Sequence, residues 1–305
     1  MKLVSIITVN YDQPKVTEAL LASILTVNTY PNIEVIVIDN GSNENYIAQW
    51  AAGYPGFTFI RSETNLGFAG GNNIGILAAK GDYLFLVNND TEFTPKLVEL
   101  LAETLDKHPG TAVVSPKIHY FDLPGIIQYA GFTPMNFYTC RNSCIGQFEK
   151  DSGQYDNASG ITAFVHGAAM MIRNAAIAKA GLMAENFFLY YEEMDWCERF
   201  KKAGYVIEAN MQALIYHKES ISVGKNSLLK EYFMNRNRIL FIRRNGSFMQ
   251  NLVFRIYFLL VVTPRNILSY KKAKQKGFTN ALFKAIWWNF SHSVNSGETG
   301  WPIKR

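Results

Sequence analysis

Residues 3–42, LVSIITVNYDQPKVTEALLASILTVNTYPNIEVIVIDNGS, contain a complete strand–helix–strand unit. Val4–Val9 is a β-branched apolar run, Pro14–Leu25 has apolar residues at helical spacing, and Ile33–Ile38 is a second apolar run. Runs without polar alternation predict strands buried on both faces, as in a parallel sheet covered by helices. The rhythm continues along the chain. Phe57–Arg61 is a shorter third strand, Leu66–Ala79 a Gly-rich turn feeding a helix, and Tyr83–Val87 a further strand. Pro95–Lys107 follows as a helix, with Thr94 as N-cap and Pro95 at its first position. The expected fold class is α/β, a mainly parallel central sheet flanked by helices.

In such sheets ligands bind beyond the carboxyl ends of the strands. Three strand ends there are conspicuously polar: Thr8, Asn10, Tyr11 and Asp12; then Asp39, Asn40, Gly41 and Ser42; then Asn88, Asn89, Asp90 and Thr91. Each alone is ordinary turn chemistry. Together, on one sheet edge, they predict a cleft rich in hydrogen-bonding groups. The segment Asn65–Gly75 (NLGFAGGNNIG) lacks the Gly-Lys-Ser/Thr ending of a P-loop and does not fit G-x-G-x-x-G. Its glycines allow close backbone approach to a ligand, and its helix start favours anions.

Composition narrows the class. With 48% hydrophobic and 14% aromatic residues in 305, a disordered or fibrous chain is excluded. Three cysteines do not make a disulfide framework, and MKLVSIITVNY reads as a strand without a cleavage site, so an intracellular globular protein is expected. Cys140 and Cys144 lack partners for a tetrahedral metal site and read as idle thiols.

Charge is unevenly spread. Residues 1–217 carry 14 Lys+Arg against 22 Asp+Glu, or −8, and residues 218–305 carry 16 against 3, or +13. A basic tail behind an acidic body suggests an anionic surface as partner. Its most apolar stretch, Leu252–Thr263, is 12 residues followed by Pro264, short of the roughly 20 needed to cross a bilayer.

The loop-rich segment 115–165 is the expected place for choosing a second substrate. After it come His166-Gly167-Ala168-Ala169-Met170-Met171-Ile172-Arg173, a glycine before a strand, and FFLYYEEMDWCERFKKAGY at Phe187–Tyr205. There a helix opens with Glu192, Glu193 and Asp195 and stops at Gly204. Acids in a first turn suit the helix dipole. Three within four residues exceed what a cap requires, and one is a candidate general base.

The ordered motifs VNYD, VIDNGS, NLGFAGGNN, LVNNDTE, HGAAMMIR and FFLYYEEMDWCERFKKAGY, followed by His217, resemble the family-2 glycosyltransferases, and within them the bacterial rhamnosyltransferase-like branch. The resemblance covers about residues 3–217. It implies a GT-A-type fold, an inverting reaction, a nucleotide-diphosphate sugar and a divalent cation, Mg²⁺ or Mn²⁺. It implies that Thr8, Asn10, Tyr11 and Asp39 hold the nucleoside, and that Asn65, Gly67, Gly71 and Asn72 border nucleotide and sugar. The family's DxD position falls on Asn88-Asn89-Asp90, so Asp90 keeps the metal-binding carboxylate while Asn88 brings no charge. The family's acidic pair falls on Glu192-Glu193, implying Glu193 as base with Asp195 as understudy, and His217 completes the metal site.

The organisation expected is a catalytic domain over 1–217, divided at 115/116 into nucleotide-binding and acceptor halves, and a helical extension over 218–305. In the extension Arg236, Arg238, Arg243, Arg244, Lys271, Lys272, Lys274 and Lys276 surround the apolar stretch, resembling an anchor on an anionic membrane surface. The expected partners are a dTDP- or UDP-linked sugar and a glycan or lipid-linked acceptor at the inner face of the cell membrane. No nucleic-acid-binding module accompanies the charge. Two rivals remain. A nucleotidyltransferase lacks its Gly-rich basic loop here, and a non-catalytic scaffold is favoured only by Asn88.

Overall fold

The computed structural model describes residues 1–218 and 227–303. In chain order its elements are β1 (Val4–Asn10), α1 (Pro14–Val27), β2 (Ile33–Asn40), α2 (Ile47–Gly53), β3 (Thr58–Ser62), α3 (Gly67–Ala78), β4 (Tyr83–Val87) and β5 (Thr91–Phe93). Then come α4 (Leu97–Lys107), β6 (Thr111–Tyr120), β7 (Ile127–Tyr129), β8 (Gly160–Ile161), β9 (Ala169–Arg173), α5 (Asn174–Ala180), α6 (Glu192–Lys202) and β10 (Val206–His217). The helices α7 (Leu228–Asn245), α8 (Phe248–Tyr257), α9 (Thr263–Lys272) and α10 (Phe278–Ser291) complete the chain.

The central sheet runs β3-β2-β1-β4-β9-β6-β10-β5. β3, β2, β1 and β4 are mutually parallel, and β6 is parallel to β10. β9 enters antiparallel to both β4 and β6. The reversal follows from the connection: the chain reaches β9 through a long loop-rich excursion after β6, not through a crossover helix, and a parallel neighbour would need one.

The two faces of the sheet bury alternate residues. Ile6, Val35, Val37, Phe85 and Val87 pack with Leu20 and Leu21 of α1 and Leu101 and Leu105 of α4. Ile7, Ile36, Ile38, Leu84 and Leu86 pack with Ile76 of α3 and Trp196 and Phe200 of α6, in a core that continues through Leu240 and Phe241 of α7 to Leu282 and Trp288 of α10. The C-terminal helices therefore share the interior of the sheet domain.

Two local expectations shift. α4 starts at Leu97, after Lys96 in the left-handed region (φ 62°), so neither Thr94 nor Pro95 takes its expected cap position. Thr94 instead donates its hydroxyl to the Leu214 carbonyl, tying the turn to β10. In the tail, helix does not stop at Pro264. Phe248–Lys272 form one helix of 25 residues, passing through a π-helical turn at Phe258–Val262. Thr263 Oγ1 donates to the Phe258 carbonyl at 3.0 Å across that turn. Pro264 brings no N–H to the helix ladder, and the π-helical turn directly before it is where the ladder adjusts. The helix thus reaches bilayer length, and the limit drawn from 12 residues does not hold.

Candidate active site

The three polar strand ends do meet at one sheet edge, where a buried hydrogen-bond network laces them together. Asn10 donates to Asp39 Oδ1 and Ser42 Oγ, both at 3.0 Å, and accepts from Thr17 Oγ1 at 2.9 Å and the Gln13 amide at 3.2 Å. Asn89 donates to the same Thr17 hydroxyl at 3.1 Å, which connects the end of β4 to that of β1. Asp39 is fully buried, with Asn10 on one oxygen and Arg61 on the other. Arg61 also donates to the Ser42 carbonyl at 2.7 Å and the Glu44 carbonyl at 3.0 Å, fixing the loop after β2. Asn10 spends its amide on this frame and has none left for a ligand. Thr8 is buried with its hydroxyl unpartnered among the described residues, and Tyr11 sits half-exposed beside it.

The Gly-rich segment serves packing more than ligand approach. Asn65 Oδ1 accepts from the Gly67 amide at 2.9 Å and from Asn40 Nδ2 at 3.2 Å. Gly67 has φ +72°, and a Cβ there would lie 2.2 Å from the Phe188 carbonyl oxygen, which accepts from the Phe68 amide at 2.7 Å. That N–H at the start of α3 is thereby satisfied by protein and not by an anion. A Cβ on Gly71 would meet Val9 at 2.8 Å, and one on Gly75 would meet Ile7 at 2.3 Å. Those glycines let α3 lie directly on the sheet, so the close approach inferred for Gly71 is to β1. Asn72 donates to the Phe68 carbonyl at 2.9 Å within the helix.

After β4 the turn Asn88–Thr91 is anchored by the Asn88 amide donating to the Ala168 carbonyl at 2.9 Å. It presents Asp90, 7% exposed, to His217 at the end of β10, with Oδ1 3.1 Å from Nε2. On its other side His217 Nδ1 donates to Gln128 Oε1 at 2.8 Å. His217 Nε2 faces a carboxylate oxygen that has no hydrogen bond among the described residues. Two buried electron-pair donors this close fit a shared divalent cation, an oxygen and an imidazole being acceptable to Mg²⁺ or Mn²⁺. Among the described residues no third His, Cys, Asp or Glu completes such a site.

Sequence reasoning did not assign Gln128 or His166 to the site, although His166 opens one of the motifs quoted above. His166 lies against His217, with ring centroids 5.9 Å apart, and its Nδ1 accepts from the Ala168 amide at 3.1 Å. Burial, reinforced by His217, lowers its pKa to about 3, so it stays neutral and offers Nε2–H as a donor. The register of β9 beside β4 pairs Ala169 with Val87, which brings the residues before β9 to the Asp90 turn. Gln128 carries no comparable sequence signal.

The three acids of α6 have three different environments. Glu193 lies beside Gly167 and Phe68; a Cβ on Gly167 would be 3.9 Å from the Glu193 carboxyl carbon. Gly167 follows His166, whose ring packs on that of His217, so one short segment links the Glu193 rim to the Asp90–His217 pair. Burial pushes the Glu193 carboxyl up to about 7. Glu192 is 3% exposed, its Oε2 has no partner among the described residues, and burial followed by repulsion from Glu193 drives it well upward.

Asp195 is unavailable as an understudy. Its Oδ1 accepts from Arg244 Nε and Asn245 Nδ2, both at 2.9 Å, and its Oδ2 from Arg199 Nε at 3.0 Å. It is 1% exposed and joins α6 to α7.

The loop before α6 is the most strained segment of the site. Phe188, Tyr190 and Tyr191 all have positive φ, at 64°, 72° and 73°. Such a loop persists only when its surroundings over-determine it. Here α7 does so: Asn237 Nδ2 donates to the carbonyls of Phe187, Leu189 and Tyr190 at 2.7–2.9 Å, and Arg236 donates to that of Asn186 at 2.6 Å. Arg236 is fully buried with its guanidinium 3.9 Å from the Trp288 ring centroid. Arg238 donates to the Thr139 carbonyl, Arg243 to the His292 carbonyl, and Arg244 to Asp195. These four arginines, expected to meet a membrane, brace the site. Lys271, Lys272, Lys274 and Lys276 are exposed.

Known proteins resemble this chain in sequence and in fold. The sequence model described as glycosyl transferase family 2 matches residues 5–180. The chain is 27% identical over 253 residues to the low-salt glycan biosynthesis hexosyltransferase Agl10 of Haloferax volcanii, covering 81% of this chain and 77% of that one. It is 21% identical over 241 residues to the N-acetylglucosaminyl-diphospho-decaprenol L-rhamnosyltransferase of Mycobacterium tuberculosis, covering 72% and 78% respectively. It spans 27% and 36% of the length of two other curated relatives, from Sinorhizobium fredii and Haemophilus influenzae. Among solved structures it resembles the mannosyltransferase PcManGT of Pyrobaculum calidifontis in complex with GDP-Man and Mn²⁺, with a TM-score of 0.59 at 14% identity over 95% of this chain and 87% of that one. That likeness gives the fold, which is of the GT-A type. With more than half of its length matched by the family's sequence model, the chain belongs to glycosyl transferase family 2.

Proposed function

We propose that this chain is an inverting glycosyltransferase that moves a sugar from a nucleotide-diphosphate donor to a hydroxyl of a glycan or lipid-linked glycan. The observation that carries the reading is a base-poised carboxyl, Glu193, against Gly167, which is next in sequence to the His166 whose ring packs on the Asp90–His217 pair. Residues 1–217 supply these groups, and residues 218–305 form the extension that holds the loop before α6. Asp39 and the Asn65 turn are the proposed borders of the donor.

The acceptor O–H bond breaks towards Glu193, and the freed oxygen bonds to the anomeric carbon. The carbon–oxygen bond to the diphosphate breaks on the opposite face, and the nucleoside diphosphate leaves with the electron pair. One carboxylate suffices for inversion. Asp90 Oδ1 and His217 Nε2 would hold a divalent cation, which when bound would supply Lewis-acid neutralisation of the leaving diphosphate. Neutral His166 offers its Nε2–H beside that pair. Rhamnose is the first sugar to test, from the name of the Mycobacterium relative.

Calorimetric titration of UDP, dTDP and GDP with and without Mn²⁺ tests the donor site. One nucleotide is expected to bind in a metal-dependent way, and Asp90→Ala is expected to abolish that dependence while the protein stays folded. Failure of all three to bind folded protein would return the scaffold reading.

The extension is proposed to rest on an anionic bilayer at the inner face of the cell membrane. Phe248, Ile256, Leu260 and Leu268 on the long helix and Phe283, Trp287 and Phe290 on α10 are exposed. Arg255, Arg265 and Lys284 are exposed among them, with the lysines of 271–276 at one end. Each cation near such a surface contributes about 1 kcal/mol. Phe254, Phe258 and Val262 of the same helix are buried against protein, which favours lying on the bilayer over crossing it. Leu260→Glu with Trp287→Glu, at positions 72% and 70% exposed, should release the protein from phosphatidylglycerol vesicles in a sedimentation assay without lowering its melting temperature. Undiminished binding would sink the anchor.

A further inference from the structure

Tyr191 of the loop before α6 also borders a second space. There a cavity of about 330 Å³ lies between α7, α9 and the start of α10, with Tyr191 in its wall. Small-molecule pockets run from roughly 300 Å³ upward. Ser227, Lys230, Glu231, Met234, Asn235 and Arg238 line it from α7. They recur every three to four residues, so one stripe of that helix faces the cavity along its length. Tyr191 stands two residues before Glu193, and neither Asp90 nor His217 contributes to the lining.

The charge inside is unbalanced. Among the described residues Glu231 is the one acid in the wall, and its Oε1 is occupied by donors, the Tyr270 hydroxyl and Asn235 Nδ2. Lys230 pairs with no carboxylate among the described residues, and its ammonium lies 5.9 Å from the Tyr190 ring centroid. Arg238 gives one N–H to the Thr139 carbonyl, and its Nε finds no acceptor among the described residues. Two cations and the amide side chains of Asn266 and Gln275 converge on a space whose single carboxylate is already engaged. Phosphate oxygens are the acceptors that such donors match. Of the lining residues, Gln275 and Phe278 are neighbours in sequence of the exposed lysines of 271–276, which follow the helix carrying the exposed Leu268.

We propose that this cavity is the acceptor subsite and that Lys230 and Arg238 bind a phosphate or diphosphate group of the acceptor, the sugar hydroxyl reaching Glu193 past Tyr191. The inference rests on Glu193 being the base. It makes the acceptor anionic and lets a lipid portion leave towards the apolar face.

The test is calorimetric titration of farnesyl diphosphate, inorganic pyrophosphate and farnesol into the full chain in EDTA, so that no cation can capture a diphosphate at Asp90 and His217. Farnesyl diphosphate is expected to bind and farnesol not. Lys230→Ala should weaken binding about tenfold or more, and Lys230→Ala with Arg238→Gln further, since each removes a charge-assisted bond. Lys230→Ala alone keeps the cap of α7, which uses the Lys230 backbone N–H, so it tests the site even if the double variant misfolds. Pyrophosphate binding far more weakly than farnesyl diphosphate assigns the site to a lipid-linked acceptor; equal binding assigns it to a free phosphate and overturns the acceptor assignment. Equal binding of farnesol, or wild-type affinity in Lys230→Ala, overturns the site itself. The nucleotide titration with Mn²⁺, run on the same preparations, is independent of all these outcomes. A protein that binds nucleotide but not farnesyl diphosphate keeps its proposed function and loses only this subsite.

Discussion

Glu193→Gln is expected to lower sugar transfer by about 10²–10⁴-fold, the usual contribution of a positioned general base. Gln is close to isosteric and neutral, so it removes proton acceptance without removing volume. Wild-type turnover should rise with pH and level off above about 7, where the raised carboxyl of Glu193 is ionised. The variant should lose that limb of the profile. Stability should move the other way. A carboxyl raised from 4.5 to about 7 by burial favours the protonated folded state, so its contribution is intact below pH 4.5 and fades as pH climbs through 7. Glu193→Gln should therefore melt at a higher temperature than wild type at pH 8 and at nearly the same temperature at pH 4.5. Wild-type turnover in the variant would assign the base elsewhere, and Glu192 would be the next to substitute.

Asp195→Ala is expected to cost about 3 kcal/mol of stability. Removing one partner of a buried ion pair costs roughly 3–5 kcal/mol, and the low end applies because Arg199 and Arg244 keep partial exposure and can turn to water. The lost contacts join α6 to α7, so the docking of α7 on the strained loop 186–191 should loosen as well. The expected result is a melting temperature lower by several degrees, seen by thermal denaturation, with turnover retained below the transition to a far greater extent than in Glu193→Gln. Loss of turnover at an unchanged melting temperature would instead make Asp195 a participant in the chemistry.

Much of the fold was legible because its signals are short-range. The β-branched runs at Val4–Val9 and Ile33–Ile38 can only be strands buried on both faces, and Pro14 starts a helix at its first position. Three polar strand ends on one edge follow from parallel order, and the structure brings them together. The start of α4 misled because Thr94 and Pro95 fit a local cap rule, while the Thr94 hydroxyl has its partner in β10, 120 residues away. The glycines of α3 misled in the same way: their lack of side chain is visible in sequence, but what they approach is not, and it is Val9 and Ile7.

By itself, then, the sequence determined the α/β order, the polar edge, and the short set of acids from which a site could be made. Only the tertiary structure decided what each acid does. Glu193 and Asp195 sit two residues apart on one helix, and nothing local separates them. Arg244, 49 residues further on, neutralises Asp195, while Glu193 has no cation beside it among the described residues and is raised by burial. The same holds for the eight basic residues of the tail expected to meet a membrane, which look alike in sequence. Four are consumed by carbonyls, a carboxylate and an indole ring brought to them by packing, and four lysines remain in water. Propensity and periodicity act over a few residues, whereas ion pairing and desolvation depend on which distant segments the core brings together.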